Sequence, residues 1–181
     1  MAKLVSKVYG DALFSVALEE NRLDEIWDEV KVLQDALTEN GEFMDVMAHP
    51  EMTREKGLAL IREAFADKLS DVMMGFLEVL VKKGRFSEIV SVLEHFQNET
   101  REYKRIGVVY VTTPTELTDA QKVSIVEKLT QTSGYETLEM NYVIDASLLG
   151  GIRIRIGDRI VDNSIQTKLE EMTRKLSKVR V

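Results

Sequence analysis

The sequence predicts an α+β protein: an N-terminal six-helix antiparallel bundle over residues 1–105, followed by a small α/β domain over 106–181. Three observations carry this expectation. Apolar residues first recur at helical spacing. The texture then turns β-branched and strand-like at Ile106-Gly107-Val108-Val109-Tyr110-Val111-Thr112-Thr113. Charge divides at the same place, with 14 Lys+Arg against 21 Asp+Glu in residues 1–105 and 10 of each in 106–181, so the first part carries the whole net charge of −7. No Gly/Ser/Pro-rich linker marks the boundary, which predicts that the last helix of the first domain runs nearly straight into the second.

Each helix has its own signature. Val5, Val8, Tyr9, Ala12, Leu13 and Val16 trace one face of a first helix, and Leu23, Ile26, Trp27, Val30, Leu33 and Leu37 trace a face of a second. A shorter helix over 42–48 must end near His49, because Pro50 pushes its predecessor out of the α region. Thr53 can cap a fourth helix that turns Leu58, Ile61 and Phe65 inward. The fifth carries Val72, Met73, Phe76, Leu77, Leu80 and Val81, with Gly84 where a left-handed C-terminal residue is wanted. Ile89, Val90, Leu93, Phe96 and Tyr103 make the sixth. Short connections between such helices imply antiparallel packing.

In the second domain Pro114 closes the first strand, and Thr118 with Gln121 forms a capping box for a helix bearing Val123, Val126 and Leu129 that stops at Gly134. Leu138, Met140, Tyr142 and Ile144 alternate with mostly polar neighbours, as do Ile152, Ile154 and Ile156 with Arg153 and Arg155, so both segments read as strands. Gly157-Asp158 is a turn from which residues 159–162 return as a short strand. Ile165, Leu169, Met172, Leu176 and Val179 then form a heptad-like stripe on a terminal helix.

A chain without cysteine has no disulfide framework, Cys-based zinc site, iron–sulfur cluster or thiol nucleophile. The apolar stretches at 72–81 and 142–156 are interrupted by charges and fall short of the ~20 residues a membrane span needs. The first residues run into an amphipathic pattern containing Asp11, Glu19 and Glu20, unlike a secretory or transit peptide.

Candidates for chemistry are sparse. The two histidines, His49 and His95, begin no metal-ligand spacing and are assigned no role. The acidic run Glu19, Glu20, Asp24, Glu25, Asp28 and Glu29 lacks the loop that calcium uses and reads as a solvated face suited at most to steering a basic partner. Gly150-Gly151 opens a strand, not a phosphate-binding helix, and serves close backbone packing. The +3 balance of residues 168–181 complements a helix C-terminus. No catalytic residue, metal or cofactor is expected. Gly10 and Gly75, inside otherwise apolar helices, each cost about 1 kcal/mol relative to alanine and need a reason. Close packing within the bundle or against an incoming helix supplies one, and the internal packing is favoured.

The block from Leu138 to Asp158, with Asp145-Ala146-Ser147-Leu148-Leu149-Gly150-Gly151-Ile152-Arg153-Ile154, then Gly157-Asp158 and Asp162-Asn163-Ser164, closely resembles the delta subunit family of F-type ATP synthases, which includes the mitochondrial oligomycin-sensitivity-conferring protein. Tyr9, Ala12 and Leu13 match that family's N-terminal pattern, Pro50 and Lys56 its Pro-to-Lys step, and Gly84-Arg85 its Gly-Arg after the fifth helix. Gly10 stands where alanine is usual, and Thr113-Pro114-Thr115-Glu116 varies the lead into the C-domain helix. Asp145, Gly150, Gly151, Gly157, Asp158, Asp162 and Ser164 are the signature positions, taken as structural.

The resemblance implies a non-catalytic stator connector that couples rotary proton transport to ATP synthesis. Its N-domain would receive the N-terminal helix of an alpha subunit in a groove between the first and fifth helices, lined by Tyr9, Ala12, Leu13, Val16, Gly75 and Val79, with Trp27 nearby or in the core. Its C-domain would hold the C-terminal ends of the b-subunit stalk, for which Ile165, Leu169, Met172 and Leu176 are the candidates beside a core-packing alternative. Location at the cytoplasmic face of the cell membrane, with membrane association indirect through the complex and no nucleic-acid partner, follows from the same likeness. Two competing readings remain at this level: a nucleic-acid-associated helical domain with a basic C-terminal tail, against which −7 speaks, and an enzyme using the acidic run.

Overall fold

The protein is described here from a computed structural model covering residues 2–49, 51–65 and 68–178. Among these residues it is α+β, with eight α-helices and one four-stranded sheet. Two compact units divide between Thr100 and Arg101.

In the first unit α1 spans Ala2–Glu19, α2 Leu23–Glu39, α3 Gly41–Ala48, α4 Arg54–Phe65 and α5 Asp71–Lys82, while α6, Ile89–Tyr103, continues past the division. One core joins them. Leu13 and Ala17 of α1, all six expected residues of α2, Ile61 of α4, Met73, Leu77, Leu80 and Val81 of α5, and Ile89, Leu93 and Phe96 of α6 are buried together. Trp27 is among them, with the Lys31 ammonium 4.8 Å from its ring centroid. Polar pairs fix neighbours: Ser70 Oγ donates to Glu29 Oε2 at 2.9 Å, and Gln97 Nε2 donates to Gln34 Oε1 at 2.7 Å. The Ser70 pair gives one member of the acidic run a structural duty at the start of α5, where Ser70 also caps the helix by accepting from Met73 N.

Local signals explain the helix ends. Lys56 N donates to Thr53 Oγ1 at 3.3 Å at the start of α4. Beyond α5, Gly84 has φ +64°, a region that favours glycine, and lets Arg85 N reach back to Leu80 O at 2.8 Å. Pro50, behind the expected break after α3, lies outside the described residues, whereas His49 before it is extended, with φ −64° and ψ 136°.

The first and last helices of this unit depart from the expected faces. On α1 the buried line is Ser6, Gly10, Leu13 and Ala17, while Leu4, Val8, Ala12 and Val16 are exposed. Small residues bring α1 close to α6: a Cβ on Gly10 would sit 2.6 Å from His95 Cδ2, and the Phe14 and Phe96 rings meet edge-on at 6.4 Å. On α6, Val92 and Thr100 are buried while Tyr103 is 62% exposed, because Tyr103 lies beyond the part of the helix that belongs to this unit.

The second unit holds β1 (Ile106–Thr113), α7 (Asp119–Ser133), β2 (Thr137–Ile144), β3 (Arg153–Ile156), β4 (Arg159–Asp162) and α8 (Ile165–Lys178). Strand order is β2-β1-β3-β4. β1 pairs parallel with β2, from Ile106 opposite Thr137 to Thr113 opposite Ile144, and antiparallel with β3. The parallel pair needs a crossover, which α7 supplies between its capping box at Thr118 and its left-handed end at Gly134. Ile125 and Leu129 of α7 pack against the cluster of Val109, Val111 and Ile156. Val123, one of the apolar residues that mark this helix in the sequence, is 57% exposed because it lies two residues, about 200° of helix rotation, from Ile125.

The signature block joins β3, β4 and α8. Gly151 has φ +84°, and an added Cβ would meet the Asn163 carbonyl oxygen and lie 2.9 Å from Ser164 Cα. A Cβ on Gly150 would lie 2.6 Å from Ile165 Cδ1, so this glycine makes room for the first apolar residue of α8. Asp162 accepts from Arg153 Nε at 2.7 Å and from Ser164 N at 2.9 Å, and Ser164 Oγ accepts from Thr167 N at 3.3 Å at the start of α8. The donors from Ser164, followed by Arg153, hold the Asp162 carboxyl well below the usual carboxylate range. Asp145 accepts from Ser147 N at 3.0 Å and is likewise lowered, chiefly by Ser147. Gly157 has φ +52° in the β3–β4 turn, and Asp158 beside it is exposed.

Gly151→Ala is expected to cost the second unit at least about 2 kcal/mol, read by denaturant unfolding, because it combines strained φ with a backbone clash. Since Asp162 ionises more readily when folded, its contribution is present above the unfolded carboxylate value of about 4 and is lost as pH falls through and below it. Asp162→Asn should therefore lower the melting temperature at neutral pH, with the difference from wild type shrinking on acidification. An undiminished difference at low pH would contradict this linkage.

Candidate functional site

The sequence offers no convergent catalytic set, so candidate function rests on surfaces that their own elements leave uncovered. On α1 the exposed residues Leu4, Val8, Ala12 and Val16 repeat every fourth position and form a continuous apolar stripe along one side of the helix. Leu13 faces the other way at 2% exposure and is a core residue, while Tyr9 is half-buried and packs on the core. Of the four α1 candidates, Ala12 and Val16 are exposed, Tyr9 is half-buried and Leu13 belongs to the core.

α5 repeats this division. Met73, Leu77, Leu80 and Val81 are buried, whereas Gly75 and Val79, four residues apart, are exposed between half-buried Val72 and Phe76. Gly10 and Gly75 prove to have opposite settings. Gly10 is buried against His95, but a Cβ on Gly75 would find no atom within 4 Å, so packing inside the bundle does not explain this mid-helix glycine. Glu78, beside Val79, accepts from Lys82 Nζ at 3.0 Å and from Arg62 Nε at 2.8 Å. Those bonds, Lys82's first, hold its carboxyl below the ordinary value. This carboxylate is thus engaged by α4 and α5.

In the second unit α8 presents Ile165, Leu169 and Met172 at 47%, 51% and 59% exposure. The side chain of Leu176 and the whole of Val179 lie outside the described residues. Ile165 also touches the backbone at Gly150, so it anchors the helix as well as lining its apolar side. Three further apolar residues of this unit to which the sequence assigns no docking role are exposed: Leu149, at 69% with φ +59°, and Ile160 and Val161 of edge strand β4. A bulky residue at positive φ is a signal visible only in the backbone.

The histidines differ from each other. His49 Nδ1 accepts from Glu51 N at 3.2 Å in the turn after α3. His95 Nε2 lies 2.7 Å from Asp11 Oδ1, a link between residues 84 positions apart that no sequence spacing announces. No described helix is long and apolar enough to cross a membrane.

Comparison with known proteins gives this architecture a family. A family model described as ATP synthase delta (OSCP) subunit matches residues 5–176. An ATP synthase subunit delta of Lachnoclostridium phytofermentans is 44% identical over all 181 residues and the whole of that relative. The protein of the same name from Prochlorococcus marinus strain MIT 9215 is 32% identical over 174 residues, covering 96% of this chain and 97% of that one. A chain of the Toxoplasma gondii mitochondrial ATP synthase hexamer superposes with TM-score 0.75 over 94% of this chain and 96% of its own length at 20% identity, a likeness of fold. On the family match and the full-length relatives, this chain belongs to the ATP synthase delta (OSCP) subunit family.

Proposed function

We propose that this chain is the non-catalytic stator connector of an F-type ATP synthase, joining the catalytic head to the peripheral stalk alongside the other synthase subunits. Its first unit, an antiparallel bundle of six helices, receives the amphipathic N-terminal helix of an alpha subunit along α1 and α5. Tyr9, Ala12, Val16, Gly75 and Val79 line that groove over Leu13. The second unit holds the C-terminal ends of the b subunits through Ile165, Leu169, Met172 and Leu176. The chain sits at the cytoplasmic face of the cell membrane, held there by its partners.

The observation that supports the groove most directly is Gly75: a glycine in mid-helix, outward-facing, with open space where its Cβ would be. Such a position costs helix stability and repays it only when another backbone comes close. The Leu4, Val8, Ala12 and Val16 stripe supplies apolar area for the same docking. Burial of such area is worth roughly 25 cal/mol per Å², so a long apolar contact raises the barrier to dissociation, and affinity differences between related interfaces appear mostly in the off-rate. Slow release matters mechanically. The rotating stalk applies torque to the head, and a two-ended strut resists it only while both ends stay attached.

Titrating the full chain with a synthetic alpha N-terminal peptide is expected to show saturable binding that Gly75→Glu or Ala12→Glu weakens at least about tenfold, the equivalent of 1.4 kcal/mol, without lowering the melting temperature, which Gly75→Glu should if anything raise. Unaltered affinity in folded variants would remove the groove. Leu169→Asp should likewise weaken capture of the soluble C-terminal fragment of b while leaving peptide binding intact. If it weakens both or neither, the stalk assignment fails.

A further inference from the structure

Asp11, His95 and Glu99 bring three metal-ligating side chains together on the α1–α6 contact, and neither the fold nor the proposed docking surfaces use them as ligands. His95 and Glu99 are four residues apart on α6, which places both on one helix face, and Asp11 enters from α1. His95 Nε2 is 2.7 Å from Asp11 Oδ1 and 3.7 Å from Glu99 Oε1, and one ligand atom from each residue lies within 4.8 Å of the other two. Ligands about 2.0–2.1 Å from a tetrahedral ion stand roughly 3.3 Å apart, so small side-chain rotations suffice to surround one.

Two further features set this group apart from an ordinary surface ion pair. A neutral imidazole has one N–H to give, yet two carboxylates converge on the same nitrogen, and among the described residues neither carboxylate makes a salt bridge to a lysine or arginine. The ring's position is also built in. It fills the space beside Gly10, where an alanine Cβ would sit 2.6 Å from His95 Cδ2. α1 therefore gives up a side chain at position 10 and offers a carboxylate at position 11 to the same imidazole.

We propose that Asp11, His95 and Glu99 form a binding site for a divalent transition-metal ion of the zinc type, which ties α1 to α6. Imidazole with two carboxylates suits zinc or a neighbouring first-row ion better than magnesium, which prefers oxygen ligands and retained water. Coordination uses the Nε2 lone pair, with the ring proton on Nδ1, and leaves a fourth position for water. The ion balances the paired carboxylates and braces the helix that carries Ala12. The site does not depend on the docking assignment.

The test uses the full chain, without a polyhistidine tag, in metal-free buffer near pH 7.5. Calorimetric titration with zinc chloride is expected to give one equivalent bound, and zinc at about a hundred times the dissociation constant should raise the melting temperature by several degrees. His95→Ala should weaken binding at least about tenfold, the loss that outer-shell changes alone already cause at metal sites, and Glu99→Gln should weaken it in the same direction without removing the Asp11–His95 bond. His49→Ala should leave it unchanged. Circular dichroism establishes that each variant is folded at the temperature used. The proposal is overturned if the wild type shows no saturable zinc binding, if folded His95→Ala or Glu99→Gln binds as wild type does, or if His49→Ala removes binding. It is equally overturned if magnesium produces the same stabilisation at the same concentration.

Discussion

A helix can bury only one stripe in its own core, and α1 and α5 carry apolar or small residues on two. Everything distinctive about the first unit follows from this excess. α1 uses Ser6, Gly10, Leu13 and Ala17 for its own bundle and leaves Leu4, Val8, Ala12 and Val16 outside. α5 buries Met73, Leu77, Leu80 and Val81 and leaves Gly75 and Val79 outside. By contrast, the apolar residues that define the face of α2 are all buried, and α2 offers nothing comparable. Surface apolar residues scattered singly are ordinary in soluble proteins, but a regular line of them along one helix is not.

The second unit solves a different problem. A sheet of four strands with one crossover helix is small for a stable core, and its buried cluster is correspondingly thin: Val109, Val111 and Ile156, with partly buried neighbours. Polar and backbone devices carry more of the load here. Asp162 ties Arg153 to the start of α8, Gly151 lets the chain pass against Asn163 and Ser164, and Gly150 admits Ile165. The family signature is thus a joint. It fixes where α8 leaves the sheet, and the apolar side of α8 remains available.

Much of this was legible in the residues themselves. The face of α2, the end of α5 at Gly84, the capping box of α7, the positions of the strands and the signature block all rest on local chemistry: residue period, capping side chains, positive φ and turn composition. These act over a few residues and therefore survive in a linear reading. Membership in the delta subunit family was legible for the same reason, since its motif is contiguous.

What the line of residues could not decide was the rotation of each helix about its axis. Val5, Val8, Tyr9, Ala12, Leu13 and Val16 make a plausible inward face of α1, yet the inward face is the one with smaller residues, because His95 of α6 occupies the space that Gly10 leaves. The same indeterminacy covers Val123 and Tyr103, apolar residues whose exposure shows only in the folded chain. Gly10 and Gly75 look alike in sequence, and only the neighbouring helices distinguish a glycine that makes room inside from one that leaves room outside. The meeting of Asp11 with His95 is of the same kind. Periodicity says that a stripe exists and local chemistry says where it begins and ends. Which stripe turns inward depends on shape and side-chain volume across chain-distant contacts, and those come into being only when the helices pack.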